Sequence, residues 1–385
     1  MKTPIKPALL AALLMTGFSG AMAQSSSPVP ATEQSDVTTL KPAYPHRVFV
    51  QAGFEGTGVK ILNGDTGAYE AAVPTSEYAV FNFDPSGKYF YVSESIWTKG
   101  NRGTRQDMVT VYDGATLKLV TEIPLAGRLI IDQRPHLFDI NASGKLGFVY
   151  NMSPASSVIV VDLEKRKVAS TVEVPGCALA FAWGENGFSS LCGDGSLATA
   201  VLNGTKATVT HSAPFFDSNN DPIFEQSLTD HATGKAVFIS FTGLIYTAQL
   251  GATPTIDKPW SIQAAAGLPA AGTGVQELAW RPGGLQTIAW NKGKGRIYVL
   301  MHAGNHWTHK KAGSEVWVLD LANHTMIKRL KLDKDALAIA VSQDNDALLY
   351  TLTEKGKLNV LDAETGATKV MGKIVAGHTL WVPGF

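Results

Sequence analysis

The side chains in this sequence best suited to chemistry are its only two cysteines, Cys177 and Cys192, and three closely spaced histidines, His302, His306 and His309, in MHAGNHWTHKK. A mid-chain cysteine pair could be a redox centre, a structural disulfide or two buried thiols. Three imidazoles could hold zinc or copper. No carboxylate or cysteine is interleaved with them, however, and their Gly- and Asn-containing loop is also where solvated or interface histidines are common. Asp113, Asp162, Asp320 and Asp362 recur at the ends of apolar runs. They could form a ring of ligands, but Asp in that place ordinarily accepts from the backbone that follows and starts a turn. Arg102, Arg105 and Asp107, in NRGTRQDMVTVYD, could make a buried ion pair before a strand or a solvated loop. Phe54, flanked by Gly53, Gly56 and Gly58 in QAGFEGTGVK, could fill a core or stand at a binding mouth. There is no Gly-x-Ser-x-Gly elbow, phosphate-binding Gly-rich loop, His-Glu-x-x-His or Cys-x-x-Cys-His.

The elements around the cysteines read as a hairpin. Small and apolar residues alternate from Cys177 to Trp183, Gly184-Glu185-Asn186-Gly187 turns the chain, and Phe188 to Cys192 returns. The two cysteines, 15 positions apart, then lie roughly opposite each other, and a disulfide between them is expected. The N-terminus supports an oxidising destination. Lys2 and Lys6, an apolar Ala8–Met15 and Ala21-Met22-Ala23 before Gln24 read as a secretory signal peptide over residues 1–23. A polar, Pro-containing leader follows over 24–40, and the fold is expected over 41–385. The periplasm is the expected location, as a soluble protein with no later membrane span. Removing residues 1–23 takes away Lys2 and Lys6 and no acid, leaving a formal charge of −2. With no basic cluster, nucleic acid and anionic membrane are poor partners.

The rest of the chain repeats. VKILNGDTGAYEAAV, VTVYDGATLKLVTEI, VIVVDLEKRKVASTV, VWVLDLANHTMIKRL and LNVLDAETGATKVMG each run strand, turn, strand, with turns placed at Asp65, Asp113, Asp162, Asp320 and Asp362; two further turns fall near Asn203 and Gly251. Between them lies a second element, a polar turn before an apolar strand, as in FDPSGKYFYVSES and INASGKLGFVYNM. Four short strands per repeat predict an all-β, seven-bladed β-propeller of four-stranded antiparallel blades, with a Pro/Gly/Ala-rich insertion over 264–274. Two β-sandwiches are the alternative, but sandwiches do not repeat their turns. Arg47–Gln51, ahead of the first outer hairpin, is expected to complete the last blade beside His378–Val382, a closure that would protect both sheet edges.

The ordered series RGTRQDMVTVYD, MSPASSVIVVDL, PGC…LCGDGSL, NDPIF, RPGG and GRIYVLMH…THK…EVWVLD resembles the large subunit of the quinone-dependent amine dehydrogenases, from about Arg47 to the C-terminus. The resemblance implies a non-catalytic subunit of a periplasmic enzyme that oxidises primary amines to aldehyde and ammonia. It implies a partner small subunit carrying tryptophan tryptophylquinone, assembled as two large and two small chains, and a blue-copper acceptor such as azurin or amicyanin. Phe54 then matches the family's phenylalanine at the substrate entrance, and Cys177 and Cys192 its large-chain disulfide. No role carries over to the histidine loop, of which only Thr308-His309-Lys310 matches. A stand-alone periplasmic propeller that binds a ligand or protein is the alternative.

Overall fold

The computed structural model describes residues 39–53, 56–126 and 132–384. The expected signal peptide, the leader as far as residue 38, and Phe54 lie outside the described residues. The fold takes in Leu40, one residue earlier than expected. Its amide donates to the Ala115 carbonyl at 2.7 Å, and its buried side chain packs with Phe49, Phe81 and Phe90.

Seven antiparallel sheets form a β-propeller. Five sheets have four strands, and blades 5 and 6 carry a short fifth. The innermost strands of blades 2 to 5 are Ala79–Phe83, Phe138–Ile140, Cys177–Trp183 and Leu228–Thr229. Blade 6 begins with Ala279–Pro282 and Ile288–Asn291, and blade 7 with Ala338–Val341. Blade 1 is closed by the C-terminal strand Gly377–Trp381, which pairs with Arg47–Ala52 so that Phe49 faces Trp381 and Val50 faces Leu380. The two strands pair as expected, but the blade they complete is corrected: the last blade has four strands of its own, and the C-terminal strand instead completes the first blade as its innermost strand. Among the described residues the only helices are Ile262–Ala265 and a 3-10 turn at Pro135–Leu137, so the sheets bury their apolar faces on one another.

The inner strands are in equivalent register. Asn82, Asp139, Ala182, Ala289 and Ala340 lie opposite Tyr91, Phe148, Phe188, Tyr298 and Tyr350 of their neighbours, and Thr229 lies opposite Ala236. These positions ring the central channel. Each inner strand enters from one end of the ring, here called the mouth end, where the second and third strands of each blade are also joined. The third and fourth strands are joined at the opposite, turn end.

At the turn end one device recurs. Asp113, Asp162, Asp320 and Asp362 accept amide hydrogen bonds from residues two or three further on, as expected. The first hairpin turns at Asp65 as expected but uses a different acceptor. Asn63, not Asp65, accepts from the amides of Asp65 and Thr66, while the Asp65 carboxylate pairs with His46 at 2.7 Å. Five turns place a residue in the left-handed region four positions after the acceptor: Gly67, Leu117, Arg166, His324 and Gly366, with φ between 55° and 76°. The three that are not glycine each have a compensating contact. Leu117 packs on the phenylalanine cluster, Arg166 donates to the Tyr89 hydroxyl, and His324 stacks on Trp260.

Candidate functional site

The mouth of the channel is built from loops that precede the inner strands and from the second-to-third-strand loops around them. Asp132, Arg134, Phe224, Glu225, Phe241 and His309 line it, with His378 on the closing strand. Arg134 pairs with Asp132 at 2.5 Å and with Glu225, so this one guanidinium is shared between two carboxylates. Burial pushes the Glu225 carboxyl up against the pull of Arg134. His309 stacks on Phe241 at 4.0 Å between ring centres, and burial, then the nearby Lys310, pushes its pKa down. His378 is likewise held below the usual imidazole range by burial. Gly53 sits so close to His378 that a Cβ on it would lie 3.2 Å from the imidazole. The strand that ends at Ala52 therefore finishes beside the mouth.

Pro135 and Gln226 line both the mouth and a deeper chamber in the channel. Blades 3, 4 and 5 meet in its wall around one buried carboxylate. Asp139 accepts from its neighbour Ile140 N at 2.9 Å, from Ala182 N at 3.0 Å and from His231 Nε2 at 3.0 Å, while His136 Nδ1 stands 3.4 Å away. His136 Nε2 in turn donates to the Ser227 carbonyl at 2.6 Å. Burial alone would raise the Asp139 pKa, but the His231 charge and the two imidazoles beside it hold it far below the carboxylate range. His231 is raised in return, the attraction of Asp139 outweighing its own desolvation. Sequence reasoning missed this group. Its one local signal is an acid at the register position that other blades fill with Ala182, Ala289 and Ala340.

Cys177 and Cys192 are direct register partners and form a disulfide at the mouth end of blade 4. His211 Nδ1 lies 3.9 Å from Cys192 Sγ, but sulfurs bonded to each other are no thiolate ligands, so the trio is no metal centre. The histidine reading changes. His302 is a buried strand residue rather than part of a solvated loop: its Nε2 bonds Thr308 Oγ1 at 2.7 Å, and burial pushes its pKa down to about 4. His306 is also buried, with Nε2 on the Asn220 carbonyl at 2.7 Å. His302, His306 and His309 do not converge within metal-ligand distance. Arg105 and Asp107 make the ion pair, at 2.7 Å with Ser95 alongside, while Arg102 is exposed.

The described residues thus offer no nucleophile next to a base at the mouth. What this end does offer is apolar surface. Met152, Val275, Leu278, Trp307 and Ile374 are large and exposed, Leu278 and Ile374 at 73% and 75%, and all lie in mouth-end loops or at a mouth-end strand terminus. The end of the insertion and the residues after it, Val275 and Leu278 among them, are fixed by Arg281, buried to 2%, which donates to the carbonyls of Gly272, Glu277 and Gly304.

The family model described as methylamine dehydrogenase heavy chain matches residues 45–379. A methylamine dehydrogenase heavy chain of Paracoccus versutus is 28% identical over 88% of this chain and 76% of its own length. That of Methylobacillus flagellatus is 27% identical over 83% and 78%. Among solved structures, a functionally unknown protein from Desulfotomaculum acetoxidans superposes with a TM-score of 0.58 at 10% identity, covering 88% of this chain and 98% of that one. A dihydro-heme d1 dehydrogenase does so with 0.52 at 14%, covering 89% and 76%. Likenesses at such identities speak for the fold alone.

Proposed function

This chain belongs to the methylamine dehydrogenase heavy chain family, and from that premise we propose that it is the non-catalytic large subunit of a periplasmic quinone-dependent amine dehydrogenase. The complex would oxidise a primary amine to aldehyde and ammonia. The two-electron chemistry would be supplied by tryptophan tryptophylquinone in a small partner subunit, and the electrons would pass to a blue-copper protein such as azurin or amicyanin. Two large and two small chains would assemble, and residues 1–23 would be the export signal.

The match over residues 45–379 carries this reading. The mouth end is compatible with the part assigned to it: five large apolar side chains are exposed there, and the Arg134 guanidinium is already paired with Asp132 and Glu225. This chain's own work is then to hold the small subunit over the mouth, exclude water there and place Phe54 at the substrate entrance. Purified with the small chain, the protein should reduce a dye when amine is added, and this chain alone should not. A homogeneous monomer with no co-purifying chain would favour the stand-alone propeller instead. In the active complex, Phe54→Ala should change kcat/KM unequally for small and aromatic amines while leaving the assembly intact; equal kcat/KM ratios would remove Phe54 from the entrance.

A further inference from the structure

We propose that Asn203 is a site of spontaneous covalent modification, where the folded chain converts its own side-chain amide into an aspartyl or isoaspartyl residue. The sequence has three Asn-Gly pairs, Asn63-Gly64, Asn186-Gly187 and Asn203-Gly204. In such a pair the backbone nitrogen that follows the asparagine can approach its side-chain carbon closely, because glycine has no Cβ to stand in the way. In the reaction the Gly204 amide gives its proton to hydroxide, and its nitrogen forms a bond to Asn203 Cγ. The Cγ–Nδ2 bond breaks, and Nδ2 leaves as ammonia with a proton taken from water. A further water opens the five-membered succinimide, giving aspartate by attack at the side-chain carbonyl and isoaspartate by attack at the main-chain one. Nothing is oxidised or reduced, and water is the only co-reactant.

The fold singles out one pair of the three. Asn203 ends the third strand of blade 4 and lies opposite Lys206, with only Gly204 and Thr205 between them. All four residues are exposed. Neither the Asn203 side chain nor the Gly204 amide has a hydrogen-bond partner among the described residues, and a Cβ on Gly204 would meet nothing within 4 Å. The two reacting groups are therefore free, and a hairpin tip of this kind opens locally at little cost.

The other two pairs are held. Asn63 Oδ1 accepts from the Asp65 and Thr66 amides and from Thr66 Oγ1, at 3.0 to 3.1 Å, and the buried Gly64 donates its amide to the His46 carbonyl at 2.8 Å. Asn186 Nδ2 donates to the Leu202 carbonyl at 2.9 Å, and the carbonyl of its peptide with Gly187 accepts from Leu202 N at 2.8 Å. Gly187 is buried in strand register with Trp183 and Val201, so close to the indole that a Cβ would lie 2.2 Å from it. Reaction at either pair first requires these contacts to break. At Asn203 the product places a new carboxylate beside Lys206, and the isoaspartyl form lengthens the loop by one backbone carbon.

The protein, with any partner chain it carries, is incubated for days at 37 °C at pH 8 and at pH 5, and tandem mass spectrometry of its peptides locates each gain of one mass unit. In the folded protein Asn203 should convert at least about tenfold faster than Asn63 and Asn186. Its rate should be higher at pH 8 than at pH 5, as loss of the amide proton requires. In guanidinium chloride strong enough to unfold the chain, the three pairs should convert at similar rates. Similar rates at all three pairs in the folded protein, faster conversion at Asn63 or Asn186, or the same preference for Asn203 in the unfolded chain would overturn the proposal. The readout is a mass at a named residue, so its failure is separate from any failure of amine oxidation.

Discussion

The two ends of the ring are made of the same strands but follow different rules. At the turn end, hairpins in five blades repeat one solution, an Asn or Asp accepting from the next turn amides and a left-handed residue four positions on. At the mouth end the loops have little in common: one is stapled by a disulfide, one is an insertion held on a buried arginine, and one leads to a carboxylate shared by three blades. Repetition is what packing seven equivalent sheets demands, so departures from it mark what packing does not demand. The turn end tolerates loss of a single device because there are several and they face solvent. The mouth end concentrates its stability in groups that occur once.

The largest effect should come from Asp139. Asp139→Ala should lower unfolding stability by about 3–5 kcal/mol, as removal of one partner from a buried charge pair does. The sign with pH follows from the shifts. The Asp139 pKa is depressed, so its contribution is present above the usual carboxylate value and is lost as pH falls toward the folded one; that of His231 is raised, so its contribution is present below about 6.5 and is lost as pH rises through the folded value. The wild-type advantage in urea midpoint over the variant should therefore be greatest at about pH 5–6. An advantage that is flat from pH 4 to pH 9 would separate the group from blade cohesion.

Next in size is the staple. Cys177→Ser should cost about 3 kcal/mol, the loop-closure entropy of a short cross-linked loop, and an unfolding midpoint unchanged by reduction of the wild type would contradict it. At the turn end Asp113→Ala should cost only about 1 kcal/mol, since the three hydrogen bonds it loses are close to water. A loss as large as that for Asp139 would erase the contrast between the ends. Smallest is the left-handed position. Arg166→Gly should be more stable than Arg166→Ala by about 1 kcal/mol, because both lose the contact with Tyr89 and only alanine keeps a strained φ. Equal midpoints would show that the turn relaxes.

The same contrast governs what could be read from the sequence. Turn-end hairpins depend on residues within a few positions of one another, so their count, and with it the seven blades, was visible. In the first hairpin the same job falls to the amide of Asn63, because a side-chain carbonyl accepts from the turn as a carboxylate does. The Cys177–Cys192 pairing was legible because a hairpin is local. The surroundings of His302 were not, since its burial comes from the strands packed around it rather than from its Gly- and Asn-rich neighbours. Asp139 was the least visible, because the residues that engage it come from blades 4 and 5, and nothing near it in the chain announces that they will meet.

The closing strand sets a timetable for folding. Phe49 cannot meet Trp381 until almost the whole chain is available, which is the longest-range pairing a single ring can require and therefore a slow one. Until then Arg47–Ala52, six residues all buried in the closed ring, stands as an open strand edge able to accept a strand from another copy. The interval before closure is when this protein is most exposed to aggregation, and protection of that one edge should govern its yield.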